Sequence, residues 1–291
     1  MMRDFKTHTL DVPGAVLHYE VREAVEESGK PVLLLVGSPM GAAGFVALAE
    51  RLPERTIVTY DPRGVGESRK TGEPGEKSTP EQHADDLHRI IDELGGGPVD
   101  LFGSSGGAVN ALELVSRHPE QVRTLVAHEP PAAQVLPDRE QALAAIKGIG
   151  RTYERDGFGP AMAQFITVVG LKGEIPADFA DQPAPDPAMF GLPAEDDGSR
   201  DDALLGQNLI SCTHHEHDFA ALRAASTRIV IAVGAESEGE MACRGGLGVA
   251  ERIGVEPVTF PSNHGGFLDD TFGMPGDPDG FAVKLREVLE G

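Results

Sequence analysis

The chain has 291 residues, 40% of them apolar and 25% charged, and its 47 acidic and 25 basic side chains give a formal net charge of −22. This balance is typical of a globular protein with a sizeable core, and α/β folds of about 250 residues often form one domain. A negative field of this size repels nucleic-acid phosphates and anionic lipid surfaces, so we expect neither nucleic acid nor a membrane as a partner. It also disfavours anionic small molecules as ligands.

Cysteine usage and the N-terminal segment indicate where the protein resides. Cys212 and Cys243 are the only cysteines, too few for a disulfide framework, which favours a reducing compartment. The first ten residues show no apolar run behind their basic residues, so we predict no signal peptide. The apolar stretches are also shorter than the roughly 20 residues of a membrane span. We therefore expect a cytoplasmic protein, whose oligomeric state the sequence leaves open.

Strand-like and helix-like segments alternate along most of the chain. Thr7–Val12 and Ala15–Arg22 alternate in polarity and predict an antiparallel pair joined at Pro13-Gly14. Five later runs are predominantly apolar: Val32–Val36, Thr56–Tyr60, Val99–Phe102, Val122–Ala127 and Arg228–Val233. Four amphipathic segments predict helices beside them: Ala42–Arg51, Pro80–Leu94, Ala108–His118 and Glu240–Arg252. Because strands that are apolar on both faces belong in a buried parallel sheet, we predict an α/β fold with a doubly wound, mostly parallel sheet.

The interval from Pro131 to Ser226 interrupts this alternation, since it shows no convincing strand. Its helix-like segments are Arg139–Asp156, Gly159–Gly170 and Leu204–Ala225. Long structureless loops are uncommon in compact domains, so we expect a helical cap at residues 132–225, inserted into a core formed by residues 1–131 and 226–291. Five apolar side chains of the cap are candidates for the walls of a ligand pocket: Phe158, Met162, Phe165, Met189 and Phe190.

One short motif points to nucleophilic catalysis. Gly103–Gly107 has the sequence GSSGG, which matches G-x-S-x-G with Ser105 at its centre. The motif follows an apolar run and opens a helical one, the strand–turn–helix context of a nucleophile elbow. Ser105 would then lie at the positive end of the following helix. The flanking residues do not fit Ser104 in the same role.

With this elbow, the sequence resembles the α/β-hydrolase family over nearly its whole length. Residues 60–68, YDPRGVGES, resemble the family's turn after its fourth strand, and we interpret them as structural. The resemblance implies a catalytic histidine last in the chain order Ser…acid…His. His264 fits that position, because it lies in a turn-rich loop after the last predicted strand, Pro257–Phe260.

The acid of the implied triad has more than one candidate. Most members of the family place it after the seventh strand, but here Ser237 occupies that position, between Glu236 and Glu238. A minority place it after the sixth strand, where Glu129 follows Val122–Ala127. The elbow and this segment resemble those of zearalenone-type lactone hydrolases, whose glutamate comes from this strand end. We favour Glu129 and keep Glu236, and then Glu238, as alternatives. The chain has no Trp, whereas those enzymes place one in the cap, so zearalenone itself is not the expected substrate.

The oxyanion hole implied by the family needs two backbone donors. One is the N–H of Gly106, and the other is expected from the loop after the third strand. In that loop Ser38 stands at the family's usual donor position, Pro39 has no N–H to donate, and Met40 is the alternative. Four residues of the same loops are candidate substrate contacts: Gly37, Met40, Pro130 and Phe267. The segment His214–His217 could place two histidines on one helix face, but no further ligand cluster accompanies it, so we predict no metal site.

The activity implied by the resemblance is hydrolysis of a small, neutral ester or lactone through an acyl-enzyme, with no cofactor and a small molecule as the only expected partner. A carbon–carbon bond hydrolase, a haloperoxidase-like perhydrolase and a non-catalytic sensor that binds a small ligand under the cap remain alternatives on the same fold. Serine rather than aspartate at position 105 argues against the epoxide hydrolase and dehalogenase branches.

Overall fold

The computed structural model of the protein describes residues 4–26, 29–73, 75–270 and 276–291. Residues 1–3, 27–28, 74 and 271–275, which belong to the predicted core and its N-terminal segment, lie outside the described residues. The strands are β1 Lys6–Val12, β2 Ala15–Arg22, β3 Leu33–Val36, β4 Ile57–Tyr60, β5 Arg69–Lys70, β6 Val99–Ser104, β7 Val122–His128, β8 Arg228–Gly234 and β9 Val258–Phe260. The α-helices are α1 Val46–Glu50, α2 Pro80–Glu93, α3 Gly106–Arg117, α4 Arg139–Asp156, α5 Phe158–Val169, α6 Leu209–Thr213, α7 Phe219–Ala224, α8 Met241–Ile253 and α9 Pro278–Glu290.

These strands form one sheet in the order β1-β2-β4-β3-β6-β7-β8-β9, with the short β5 paired to β2. Strand β2 is antiparallel to β1 and to β4, whereas every pair from β4 through β3 to β9 is parallel. The predicted hairpin and the predicted mostly parallel α/β sheet are therefore confirmed. Since parallel strands end at one edge, the residues after β3, β6, β7, β8 and β9 collect there.

Both faces of the sheet are covered by helices, as continuous apolar strands require. In β3, Leu33 and Leu35 pack into one apolar cluster while Leu34 packs into another, because successive side chains point to opposite faces. Helices α1 and α9 contribute to the cluster of Leu33, and α2, α3 and α8 to that of Leu34. The sheet is thus doubly wound. None of the helices within the described residues combines the length and the apolar character that a bilayer crossing requires.

The segment between β7 and β8 builds a third apolar cluster over the carboxyl edge of the sheet. Ile146 and Tyr153 of α4, Val168 of α5 and Leu209 of α6 pack there together with Met241 of α8. Helix α7 behaves differently, because its Leu222 packs into the cluster of the main sheet. The predicted cap of residues 132–225 therefore contains one helix that packs against the core, and its exact boundaries remain a prediction.

One local expectation needs correction, and two elements were not predicted. The helix expected over Leu204–Ala225 is a π-helix at Ala203–Asn208 followed by α6 and α7, and Asp218 begins α7 by accepting hydrogen bonds from the N–H groups of Ala220 and Ala221. Strand β5 was not predicted, since two residues carry no periodicity. Helix α9 was not predicted either, although Asp277 and Pro278 form a typical helix start.

Candidate active site

Ser105 lies in the turn that joins β6 to α3. Its backbone adopts φ 56° and ψ −126°, a conformation that costs a non-glycine residue about 1–3 kcal/mol. The N–H of Ser105 donates to the carbonyl oxygen of His128 at 2.9 Å, which fixes the turn against β7. The arrangement is that of a nucleophile elbow: a strained serine held at the first turn of a helix.

The glycines of the motif allow the close packing of this turn. A Cβ atom on Gly107 would lie 2.3 Å from the carbonyl oxygen of Val36, and one on Gly103 would lie 2.9 Å from the carbonyl oxygen of Gly107. Ser104 points to the other side, where its buried hydroxyl contacts Nδ1 of His128 at 3.0 Å. Of the two serines in the motif, only Ser105 lines the neighbouring cavity.

His264 and Glu129 form the shortest polar contact at this edge of the sheet. Nδ1 of His264 lies 2.5 Å from Oε2 of Glu129, and the N–H of Gly234 donates to Oε1 at 2.8 Å. Glu129 is fully buried, whereas the side chain of His264 is 31% exposed. Burial acts to raise the pKa of Glu129, but the hydrogen bond from His264, the neighbouring imidazoles and the Gly234 N–H together lower it. Glu129 is therefore held as a carboxylate against one nitrogen of the imidazole, and Nε2 is left for another partner.

The alternative acids occupy different surroundings. Glu236 and Glu238 are exposed, and no contact between either carboxylate and His264 is present in the described part of the chain. Ser237, at the family's more common acid position, is fully buried, and its hydroxyl has no hydrogen-bond partner among the described residues. The geometry therefore favours Glu129 over both alternatives.

A cavity of about 450 Å³ opens beside Ser105 and His264. Its walls come from the loops after β3, β6 and β7, from α5 and α6, and from the start of α8. Its lining residues are Ser38, Pro39, Ser105, Gly106, Pro131, Phe165, Ile166, Val169, Gly170, Leu204, Asn208, Leu209, Cys212, Thr213, Glu240, Met241, Ala242 and His264. The size and the mostly apolar walls are typical of a small-molecule site.

Both predicted oxyanion donors, Gly106 and Ser38, line this cavity beside Ser105. Gly106 is the first residue of α3, so its N–H has no acceptor within the helix. The carbonyl of Ser38 packs against Gly106, since a Cβ on Gly106 would come within 2.5 Å of that oxygen. The two residues therefore lie next to each other at the wall of the cavity, beside Ser105.

The other four predicted substrate contacts do not line the cavity. Phe267 is 2% exposed and stacks on Phe45 at 5.4 Å between ring centroids, inside the core. Met40 packs against the same core cluster, and Gly37 lies directly behind it. Pro130 packs against α8. In the loops after β3 and β7, the residues that line the cavity are instead Pro39 and Pro131.

Only one of the five predicted wall residues lines the cavity, namely Phe165. Phe158 and Met162 pack in the apolar cluster of the cap, and Met189 is 78% exposed. The sequence analysis missed Ile166 and Val169, of which only Val169, four residues after Phe165, follows from a helical period of three to four residues. It also missed Cys212, whose buried thiol has its pKa raised to about 12 by burial and is therefore protonated rather than nucleophilic.

The two remaining motifs have structural contacts. Asp61 accepts hydrogen bonds from the N–H groups of Ala42 at 2.9 Å and Glu67 at 3.0 Å, as expected for a residue that holds a turn. His214 and His217 do not share a helix, because α6 ends at Thr213. His215 between them has Nε2 3.2 Å from Glu113 and Nδ1 3.6 Å from Glu81. It therefore links the loop after α6 to α2 and α3.

Comparison with known proteins identifies the family of this chain. A family model described as the alpha/beta hydrolase fold matches residues 30–168. A protein of Bacillus subtilis (strain 168), named uncharacterized hydrolase YraK, is 31% identical over 266 residues, which cover 89% of each chain. The chain belongs to the α/β-hydrolase family.

Solved structures of other α/β-hydrolases agree with this fold. An esterase from Thermogutta terrifontis superimposes with a TM-score of 0.66 at 20% identity and covers 99% of this chain and 98% of its own. The enol-lactonase from Burkholderia xenovorans LB400 has a TM-score of 0.65 at 17% identity, with 98% of this chain and 100% of that chain covered. The predicted α/β-hydrolase fold is therefore confirmed, and a hydrolase is the general class of activity.

Proposed function

We propose that this α/β-hydrolase is a serine hydrolase that cleaves a small ester or lactone through an acyl-enzyme, with Ser105, His264 and Glu129 as its catalytic triad. The observation that carries the proposal is the 2.5 Å contact of His264 Nδ1 with Glu129, at the wall of a cavity that Ser105 also lines. An imidazole fixed in this way presents Nε2 as a base, which is the arrangement that activates a serine hydroxyl.

In the acylation step, Nε2 of His264 takes the hydroxyl proton of Ser105 while the serine oxygen attacks the substrate carbonyl. The negative charge that develops on the carbonyl oxygen is stabilised by the N–H groups of Gly106 and Ser38. Glu129 stabilises the imidazolium that forms, and its buried position keeps the interaction strong. His264 then gives the proton to the departing alkoxide.

In the deacylation step, water replaces the alcohol and the same groups act again. His264 takes a proton from the water molecule, which attacks the acyl-enzyme, and the proton returns to Ser105 as the acid is released. The cavity of about 450 Å³ accommodates a small substrate. The fold is shared with an esterase and an enol-lactonase, which supports esters and lactones as the first substrates to test.

The proposal predicts that Ser105→Ala and His264→Ala each lower the turnover of p-nitrophenyl butyrate by about 10³-fold or more, because triad members act as a unit. Initial rates and circular dichroism of each variant provide the measurement. Ser116→Ala is a matched control, since Ser116 lies near the far end of α3 and hydrogen-bonds the carbonyl of Glu113; it should retain wild-type activity.

A fluorophosphonate probe provides an independent readout. It should label the wild-type protein and Ser116→Ala and should spare Ser105→Ala. If a folded Ser105→Ala protein keeps more than a tenth of the activity, Ser105 is not the nucleophile and the proposal fails. If the wild type is labelled but cleaves only diketones, the fold acts as a carbon–carbon bond hydrolase instead.

A further inference from the structure

Glu240 places a carboxylate in the wall of the active-site cavity. It is the last residue before α8, and it lines the cavity together with Ser105 and His264. Among the described lining residues it is the only carboxylate, and no Lys or Arg is present there. Glu240 is half-buried, yet no hydrogen bond or ion pair to its carboxylate is present within the described ranges. A half-buried charge without a partner is unfavourable unless a ligand supplies one.

The backbone around Glu240 is fixed even though its carboxylate is free. Its N–H donates to the carbonyl of Ser237 at 3.0 Å, and its own carbonyl accepts from the N–H of Arg244 at 2.9 Å. The start of α8 thus fixes the point on the cavity wall from which the side chain extends. Such a fixed group is suited to recognising one substituent of a substrate.

The charges around Glu240 leave the carboxylate uncompensated. Burial and the negative charge of Glu129 raise the pKa of Glu240, against the opposing effect of Lys172 and His264. Lys172 is exposed and forms no ion pair with Glu240 in the described structure. A cation in the cavity would lower the pKa of Glu240, because an opposite charge at close range stabilises the carboxylate.

We propose that Glu240 is a specificity-determining residue that binds an ammonium group of the substrate, so that the preferred substrate is a cationic ester. The proposal rests on the proposed serine hydrolase function and deepens it. It also revises the expectation of a neutral substrate, because the sequence alone does not show that Glu240 lines the cavity. An ester with an ammonium substituent would place its carbonyl at Ser105 and its charge at Glu240.

Other ligand chemistries fit the cavity less well. A carboxylate or phosphate substituent would meet Glu240 with no Lys or Arg beside it among the described lining residues. The net charge of −22 adds a long-range field that draws cations in and repels anions. A neutral hydroxyl can donate to Glu240, but it brings no opposite charge, whereas an ammonium group adds a Coulomb attraction that partial burial strengthens.

Binding to a catalytically inactive protein tests the proposal separately from hydrolysis. Titration calorimetry of the Ser105→Ala variant with hexylammonium, 1-hexanol and hexanoate compares three head groups on one chain. We expect hexylammonium to bind at least about tenfold more tightly than 1-hexanol, as one charge-assisted contact provides, and hexanoate to bind most weakly. Adding Glu240→Gln should bring hexylammonium and 1-hexanol to within about twofold of each other.

Glu236→Gln is the matched control, because Glu236 is exposed, belongs to the same loop and does not line the cavity. It should keep the full preference for hexylammonium. Equal binding of hexylammonium and 1-hexanol by Ser105→Ala would overturn the proposal. A Glu240→Gln variant that loses thermal stability but keeps the preference would do the same, and would assign Glu240 to a structural contact with Lys172. Neither result would contradict the proposed Ser105-dependent hydrolysis, because that activity is measured separately on the wild type.

Discussion

Glu129 combines an unusual backbone with a fully satisfied carboxylate. Its φ of 46° is rare for a residue other than glycine, and its N–H donates to the carbonyl of Ala232 at 3.0 Å. Each carboxylate oxygen has its own partner, His264 on one side and the N–H of Gly234 on the other. Strain of this kind persists only where the surroundings over-determine it, and it is common at functional sites. We interpret this strained backbone as the conformation that directs the Glu129 carboxylate toward His264.

Replacing Glu129 with Gln should lower turnover by about 10²- to 10⁴-fold with the protein folded. The amide keeps the shape but removes the charge that stabilises the imidazolium and selects its tautomer. Steady-state rates on p-nitrophenyl butyrate measure the effect. Glu236→Gln and Glu238→Gln serve as controls. Each should lower turnover by less than about tenfold, since both carboxylates are exposed. If Glu236→Gln instead lost most of its turnover while Glu129→Gln kept nearly all of it, the catalytic acid would lie in the loop after β8.

Helix α5 forms the side of the cavity that faces the nucleophile. Phe165, Ile166 and Val169 line the cavity, while Ala161 and Val168 pack in the apolar cluster of the cap. Ile166 is 36% exposed, so its side chain borders both the cavity and solvent. The helix is therefore anchored by one face and presents the other to a ligand, which makes it the element that sets substrate size.

Ile166→Trp should shift the preference of the enzyme toward short acyl chains. The larger side chain has room on the solvent side, so the fold is retained, but it narrows the cavity. We expect kcat/KM for p-nitrophenyl octanoate to fall by about tenfold or more relative to the acetate, a loss of the size produced by one or two methylenes in an apolar pocket. Met189→Trp, at a site 78% exposed and away from the cavity, should leave the ratio unchanged. An unaltered ratio in Ile166→Trp would place the acyl chain elsewhere.

Three buried histidines connect the stability of the fold to pH. Burial lowers the pKa of His83 to about 3, of His128 to about 4 and of His217 to about 3. Neither ring nitrogen of His83 or His217, nor Nε2 of His128, has a hydrogen-bond partner in the described chain. All three are therefore neutral in the folded protein and take up a proton near pH 6.5 only when it unfolds.

The free energy of unfolding should therefore decrease as the pH falls from 7 to 5. In that range the unfolded chain binds protons on these histidines and the folded protein does not, which costs about 2 kcal/mol of stability for each by pH 5. The lowered pKa of Glu129 acts in the same direction, but only below its unfolded value near 4.5. Urea unfolding at pH 7 and pH 5 gives the measurement.

A single substitution tests which groups cause this pH dependence. His217→Leu removes one titrating group and should reduce the loss between pH 7 and pH 5 by about 2 kcal/mol. His8→Ala, at an exposed position, should leave the loss unchanged. Equal stability of the wild type at both pH values would show that the buried histidines are solvated or charged in the folded protein.

The elements and the tight turn at Ser105 were predictable because their signals are local. Continuous apolar runs such as Leu33–Val36 specify buried parallel strands whatever lies next to them, and the glycines around Ser105 specify a tight strand–turn–helix connection. The loop position of His264 follows from chain order alone. Helix α9 was not predicted, although Asp277 and Pro278 are a local sequence pattern that indicates the start of a helix.

The carboxylate partner of His264 and the cavity walls depended on tertiary structure. Glu129 and Glu236 both follow a parallel strand in the sequence, and only the packing of β7 against β8 buries the first and exposes the second. Phe267 and Met40 turn into the core while their neighbours face the ligand, because side-chain direction in a loop follows from what packs behind it. Glu240 and Ser105 are 135 residues apart in the sequence, yet both line the cavity. They do so because α8 starts at the edge of the sheet where β6 also ends. Local sequence thus determined which elements form, and long-range packing decided which of their side chains share one site.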